Sequence, residues 1–194
     1  MSFTPALRIL IVAAVSILAL VGLVVGESLA RQSGTEVLLR MEAVDPRAIL
    51  SGHYVDIALR ENQPEGAACP VGATDAETAS PTGARGHWIA LRRSGALASA
   101  AAMTARREDA ARASPLVVRG EALCRPSIRA VDLDLGVKRF HVSQAEAERI
   151  DKLLANRRFG HESPVAAIVS IGQDGRARLN GLMVQGRRID LALF

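Results

Sequence analysis

The sequence predicts a β-rich α+β fold: an N-terminal transmembrane helix, then a mostly antiparallel β domain with one amphipathic helix. Three observations predict it. An uncharged apolar run opens the chain, short alternating segments separated by turn pairs follow, and a single stretch has helical periodicity. At 194 residues the chain divides into an anchor, 1–30, and one domain, 31–194, with a long loop at 62–86.

The anchor is read from "ILIVAAVSILALVGLVV", Ile9 to Val25. As a helix it spans roughly 26 Å, close to the roughly 30 Å hydrocarbon core of a bilayer. Arg8 sits where a long cationic side chain can reach the headgroups. A cleaved signal peptide is the rival, with Ser28-Leu29-Ala30 as its small-x-small site. Signal h-regions run about 7–15 residues, and this run is longer, so an uncleaved anchor is expected. Flanking charge decides orientation weakly, with Arg8 on one side and a mixture of Glu27, Glu36, Arg31 and Arg40 on the other. With so short an N-terminal tail, the bulk of the chain is expected outside the cytoplasm.

Two cysteines, Cys69 and Cys124, are compatible with that side of the membrane. They form no CxxC and have no histidine spacing suited to zinc. In an oxidising compartment an even pair is a candidate disulfide.

Alternation organises the rest. "EVLLRMEAV" (Glu36–Val44) and "HYVDIALRE" (His53–Glu61) are the first strands, the second with its apolar face on Val55, Ile57 and Leu59. Residues 62–86, rich in Pro, Gly, Ala and Thr, read as an exposed loop. "HWIALRR" is a strand ending at Ser94-Gly95. The alanine-rich segment after it has helix propensity but no large apolar residues at helical spacing, so its first half is read as a returning strand. "SPLVVRGEAL" and "IRAVDLDLGVKRFHV" supply further strands. The amphipathic helix is "SQAEAERIDKLLANRRF", with a Ser143/Glu146 capping box and a stripe at Ile150, Leu153 and Leu154. A meander closes the chain, turning at Asp174-Gly175 and Gln185-Gly186.

Composition excludes some functions. The net charge of +4 is spread along the chain in short arginine pairs, and there is one Trp, one Tyr and four Phe. A nucleic-acid face would concentrate the charge and add stacking rings, so no nucleic-acid partner is expected. The histidines His53, His87, His141 and His161 have no HxxxH or HExxH spacing, and no metal or other cofactor is expected. Asp132 and Asp134 share a strand face, which could suit paired carboxylates. Solvent-facing charge in an alternating strand is the commoner reason for such a pair.

"VDPRAILSGHYVDIAL", Val44 to Leu59, resembles the signature of the GDYXXLXY-motif proteins, which are bacterial, membrane-anchored and of uncharacterised function. Their pattern runs VDPR, a few apolar residues, Gly-Asp-Tyr and an alternating strand. "GVKRFHVSQAEAERIDKL" and "AIVSIGQDGRARLNGLMVQGRRI" are similar to later parts of the family pattern. Gly52 and Tyr54 match, whereas His53 stands where Asp is usual, Ile57 where Leu is, and Leu59 where the final Tyr is. The resemblance implies membrane anchorage, an extracytoplasmic β domain and no known reaction; the location expected is the bacterial inner membrane, with the domain periplasmic. It marks Asp45, Pro46, Arg47, Gly52, His53 and Tyr54 as candidate interaction residues. Locally, Asp45-Pro46 begins a turn, Gly52 allows a tight corner, and Tyr54 alternates away from the Val55 face.

The same stretch has a more distant similarity to type I signal peptidases, anchored enzymes with a serine nucleophile and a lysine base. Pro46, Gly52 and the Lys138 of "GVKRF" occupy comparable places. That chemistry needs a hydroxyl three residues before the proline, and the residue there is Ala43. The expected function is therefore a non-catalytic accessory module for an integral membrane or envelope protein. A diverged serine-lysine hydrolase is the alternative, and a small-molecule or glycan-binding module is a weaker third reading.

Overall fold

The apolar run forms one unbroken helix in the computed structural model, which describes residues 4–42, 54–78, 87–141, 144–155 and 164–190. Helix α1 covers Pro5–Gln32, with proline in its first turn, where a missing N–H costs nothing. It is long and apolar enough to cross a membrane, and among the described residues nothing packs against its apolar length. It extends past the predicted boundary at residue 30, and the domain begins almost at once with β1, Thr35–Glu42.

The strands that follow are β2 (Tyr54–Asp56), β3 (Ala58–Asn62), β4 (Thr74–Asp75), β5 (Trp88–Ser94), β6 (Leu97–Thr104), β7 (Leu116–Arg119), β8 (Glu121–Arg125) and β9 (Ala130–Asp134). Then come β10 (Arg139–His141), β11 (Val165–Ile171), β12 (Ala177–Val184) and β13 (Arg187–Asp190). Helix α2 is Arg107–Ala113 and α3 is Gln144–Ala155. A 3-10 turn occupies Pro126–Ile128. The observed class is the predicted one.

β1 is the trunk of the sheet. One edge pairs antiparallel with β11, from Thr35↔Ile171 to Arg40↔Ala166, and the closing meander β11–β12–β13 continues from there. The last turn has Gln185 at φ 50° and Gly186 at φ 80°, the left-handed pair a two-residue hairpin requires. Along its other edge β1 forks. Leu38 meets Leu97 of β6, leading to β5 and β7, while Met41 and Glu42 pair with β3, leading to β9, β8 and β4. Both branches feed one core, with Ile89, Leu91 and Met103 from the first and Cys124, Val131 and Leu133 from the second.

Glu61 spans the fork. The β5–β6 register slips between Ala90 and Leu91, and the Ala100 N–H near the slip donates to the Glu61 carboxylate at 2.8 and 3.1 Å. Burial pushes the Glu61 carboxyl up to about 7, against the pull of the Ala100 N–H and Arg40. In the unfolded chain it releases its proton near 4.5. The folded state thus holds more protons between those values, and stability falls as pH rises through that window, by roughly 3 kcal/mol at most. Urea unfolding at pH 5, 7 and 8 is expected to show this decline, and Glu61→Gln to flatten it. A wild-type midpoint that rises across the window would contradict this role.

Two long predicted strands are each broken, at places that face each other. Residues 53–61 were expected to run straight, but Ile57 separates β2 from β3, and its N–H donates to the Lys138 carbonyl at 2.9 Å. Opposite, β9 ends before Gly136, at φ 76°, whose N–H donates to Asp134 Oδ1. Both chains leave the main sheet here and pair as a ribbon, Tyr54↔His141, Val55↔Phe140 and Asp56↔Arg139. α3 lies against β2, with Ile150 and Leu154 buried and Leu153 partly so. Ser143 of the capping box lies outside the described residues. Glu146 accepts from Arg149 and from Arg187 of β13.

The alanine-rich segment is a strand in its first half, as expected, and its second half is the short helix α2. Glu108 and Asp109 lie in its first turn, where carboxylates complement the helix dipole, and Asp109 pairs with Arg112. The 62–86 loop is not wholly irregular. β4 pairs parallel with β8, and Val71 bridges to Ala102. Cys69 and Cys124 are joined, their Cα atoms 5.9 Å apart.

Candidate functional site

The motif residues Asp45, Pro46, Arg47, Gly52 and His53 lie outside the described residues. Tyr54 opens β2, and its backbone register places it opposite His141. The structure therefore brings the motif strand against "KRF", which the sequence separates by more than eighty positions. Lys138, which the hydrolase alternative requires as a buried base, is exposed at this junction. Its neighbour Phe140 is fully buried.

Asp132 does not face solvent freely. Its carboxylate takes Arg60 Nε at 2.5 Å and Arg125 Nε at 2.6 Å. Burial alone would raise its pKa, and the two guanidiniums hold it below the usual carboxylate range. Asp134 is exposed and caps Gly136. The pair is thus divided between a strand-bridging clamp and a turn. Among the described residues no three His, Cys, Asp or Glu groups gather as a metal site. His87 keeps a buried Nδ1 without a hydrogen-bond partner.

The most connected polar cluster is one the sequence reading did not identify, the joint between α1 and the β domain. Glu27, two residues beyond the apolar run, pairs with Arg31 one helical turn on and with Arg178 of β12, both at 3.2 Å. Arg178 continues to Asp174 at 3.0 Å. The Ser170 hydroxyl donates to the Arg31 carbonyl at 2.7 Å, satisfying a helix-end acceptor that has no partner within the helix. Asn180 reaches Glu36, which also accepts from Arg188 at 3.0 Å through both oxygens. The Arg188 and Asn180 bonds hold Glu36 down to about 2, and Arg178 does the same for Asp174. At Gly34, where helix becomes strand, an added Cβ would sit 2.0 Å from Ser170 Oγ, so a larger residue would push that hydroxyl off the Arg31 carbonyl. The Glu27/Arg31 spacing was the only local hint. Their partners lie about 150 residues away and left no trace in sequence periodicity.

A family model, GDYXXLXY protein, matches residues 16–182. The chain belongs to the GDYXXLXY family. The match includes the second half of α1 and the loop around Cys69, so this GDYXXLXY protein shares more with its family than the quoted motif stretches alone indicated. The joint from Glu27 to Arg178 falls inside it. No curated protein and no solved structure matches. The comparisons do not show the type I signal peptidase resemblance.

Proposed function

We propose that this GDYXXLXY protein is a single-pass, inner-membrane module whose β domain stands in the periplasm and serves, without catalysis, an integral membrane or envelope partner. The observation that carries the reading is the run of α1 from an exposed apolar span directly into an ion-paired joint. A cut after Ala30 would remove Glu27 and free Arg178 of one partner, which favours an anchor that stays attached. A Cys69–Cys124 bridge suits an oxidising compartment. Exposure of Lys138 and the alanine at position 43 both argue against serine-lysine chemistry, which needs a desolvated amine beside a hydroxyl.

The test combines topology with capture. Alkaline-washed membranes should retain the full chain, and protease added to spheroplasts should digest the domain. A photo-crosslinker at Tyr54 should give one discrete protein adduct, lost when an unrelated transmembrane helix replaces α1. A mature N-terminus at Arg31 in the soluble fraction would overturn the anchored reading. Peptide hydrolysis abolished by Lys138→Ala would replace the accessory role with the hydrolase.

A further inference from the structure

The end of the domain from which α1 emerges carries a second feature. β1 runs away from the helix and β11 runs back toward it, so the turn 172–176 points along α1 toward its apolar span. The Glu27–Arg178–Asp174 chain fixes that turn beside the helix. Trp88 packs against it: a Cβ at Gly175 would come within 2.3 Å of the ring. Arg119 donates its backbone N–H to the Gly175 carbonyl at 2.8 Å. Two guanidiniums stack on the Trp88 ring, Arg119 at 4.7 Å and Arg107 at 5.5 Å from its centroid.

Charge at this face is unevenly spent. Asp174, Glu27 and Asp109 are paired with Arg178, Arg31 and Arg112. Among the described residues no carboxylate pairs with Arg107 or Arg119, although Glu108 follows Arg107 and Glu121 lies two residues past Arg119. Depth follows from the helix. Glu27 to Arg31 lie about 3–9 Å beyond Val25 at about 1.5 Å per residue. The polar layer outside the hydrocarbon is about 5–7 Å thick. The turn held by Glu27, with Trp88 and its two arginines, therefore lies at headgroup level if α1 spans a bilayer.

We propose that Arg107 and Arg119, both over the Trp88 ring, bind the phosphate of an anionic phospholipid headgroup. A guanidinium offers paired donors to phosphate oxygens, and an indole is at home at the membrane interface. This inference rests on the anchored reading.

Trp88 is the only tryptophan, so its emission reports this site alone. The full chain is placed in nanodiscs of equal parts phosphatidylglycerol and phosphatidylcholine, with bromine on the acyl chains of one lipid or the other. Brominated phosphatidylglycerol is expected to quench about twofold more than brominated phosphatidylcholine, a bias that high salt weakens. The double variant R107Q/R119Q should lose the bias while brominated phosphatidylcholine quenches as before, which also shows that the fold and its depth are kept. Equal quenching by the two lipids in the wild type would overturn the proposal, as would a bias that survives the double variant. Loss of the bias on adding inorganic phosphate would mean a free-phosphate site and overturn it too. Absence of all quenching in a chain that still resists alkaline extraction would defeat the headgroup site alone. Release of the chain by alkali would defeat the anchor as well.

Discussion

Replacing Cys69 and Cys124 together by alanine is expected to lower the unfolding free energy by about 4 kcal/mol, the loop-closure value for a separation near 55 residues. Removing the bridge releases a closed loop in the unfolded chain. In the folded one it frees the segment that carries Val71 and β4, which touch β6 and β8. Cys124 is buried while Cys69 is exposed, so the bridge ties a surface loop directly to the core. Urea unfolding of the chain in mild detergent, with and without reductant, measures the effect. Hydrogen exchange should show protection lost first at Met103, whose N–H donates to the Val71 carbonyl at 2.8 Å. An unchanged midpoint on reduction would show that the bridge contributes nothing to stability.

Phe140→Ala is expected to cost about 3–5 kcal/mol, the usual range for removing a fully buried ring. The loss should be concentrated where β10 pairs with β2, because Phe140 is the register partner of Val55. The motif strand would then lose its support, and any crosslinked adduct from Tyr54 should weaken along with stability. Lys138→Ala two residues earlier is the control. An exposed substitution there should change stability by no more than about 0.5 kcal/mol. If the two variants had equal effects, Phe140 would not be holding the ribbon in place.

The parts of this fold legible in the sequence are those set by local pattern. Ile9–Val25 stood out because nothing interrupts its apolarity. The stripe Ile150, Leu153 and Leu154 marked α3, and the turn pairs 94–95, 174–175 and 185–186 fall where the structure turns. Alternation also extended two strands too far. Ile57 and Leu59 are both buried, so nothing in that pattern signals the exchange of partners between them. α2 was obscured because an alanine-rich segment lacks the large residues that reveal a helical face, and Ala110 is its one buried side chain. The joint at Glu27, the fork at Glu61 and the Asp132 clamp all rest on pairings between distant strands. Such pairings are set by tertiary approach, which periodicity does not encode. The candidate motif was visible only as a family signature. Of its residues, the structure places Tyr54 alone, opposite His141.

The absence of a linker after α1 makes the helix a lever. In most tethered proteins a slack segment lets the domain tumble regardless of how the span sits. Here Glu27, Arg31 and the Gly34 elbow transmit the helix axis straight into β1 and β12. If α1 spans a bilayer, its apolar run of roughly 26 Å is close to the hydrocarbon thickness, and its tilt would follow the thickness of that bilayer. Any such lean would swing the whole β domain by the same angle, carrying the far end of the sheet through a wide arc. Bilayer thickness would thereby set the height and direction at which the motif ribbon is presented to its neighbours.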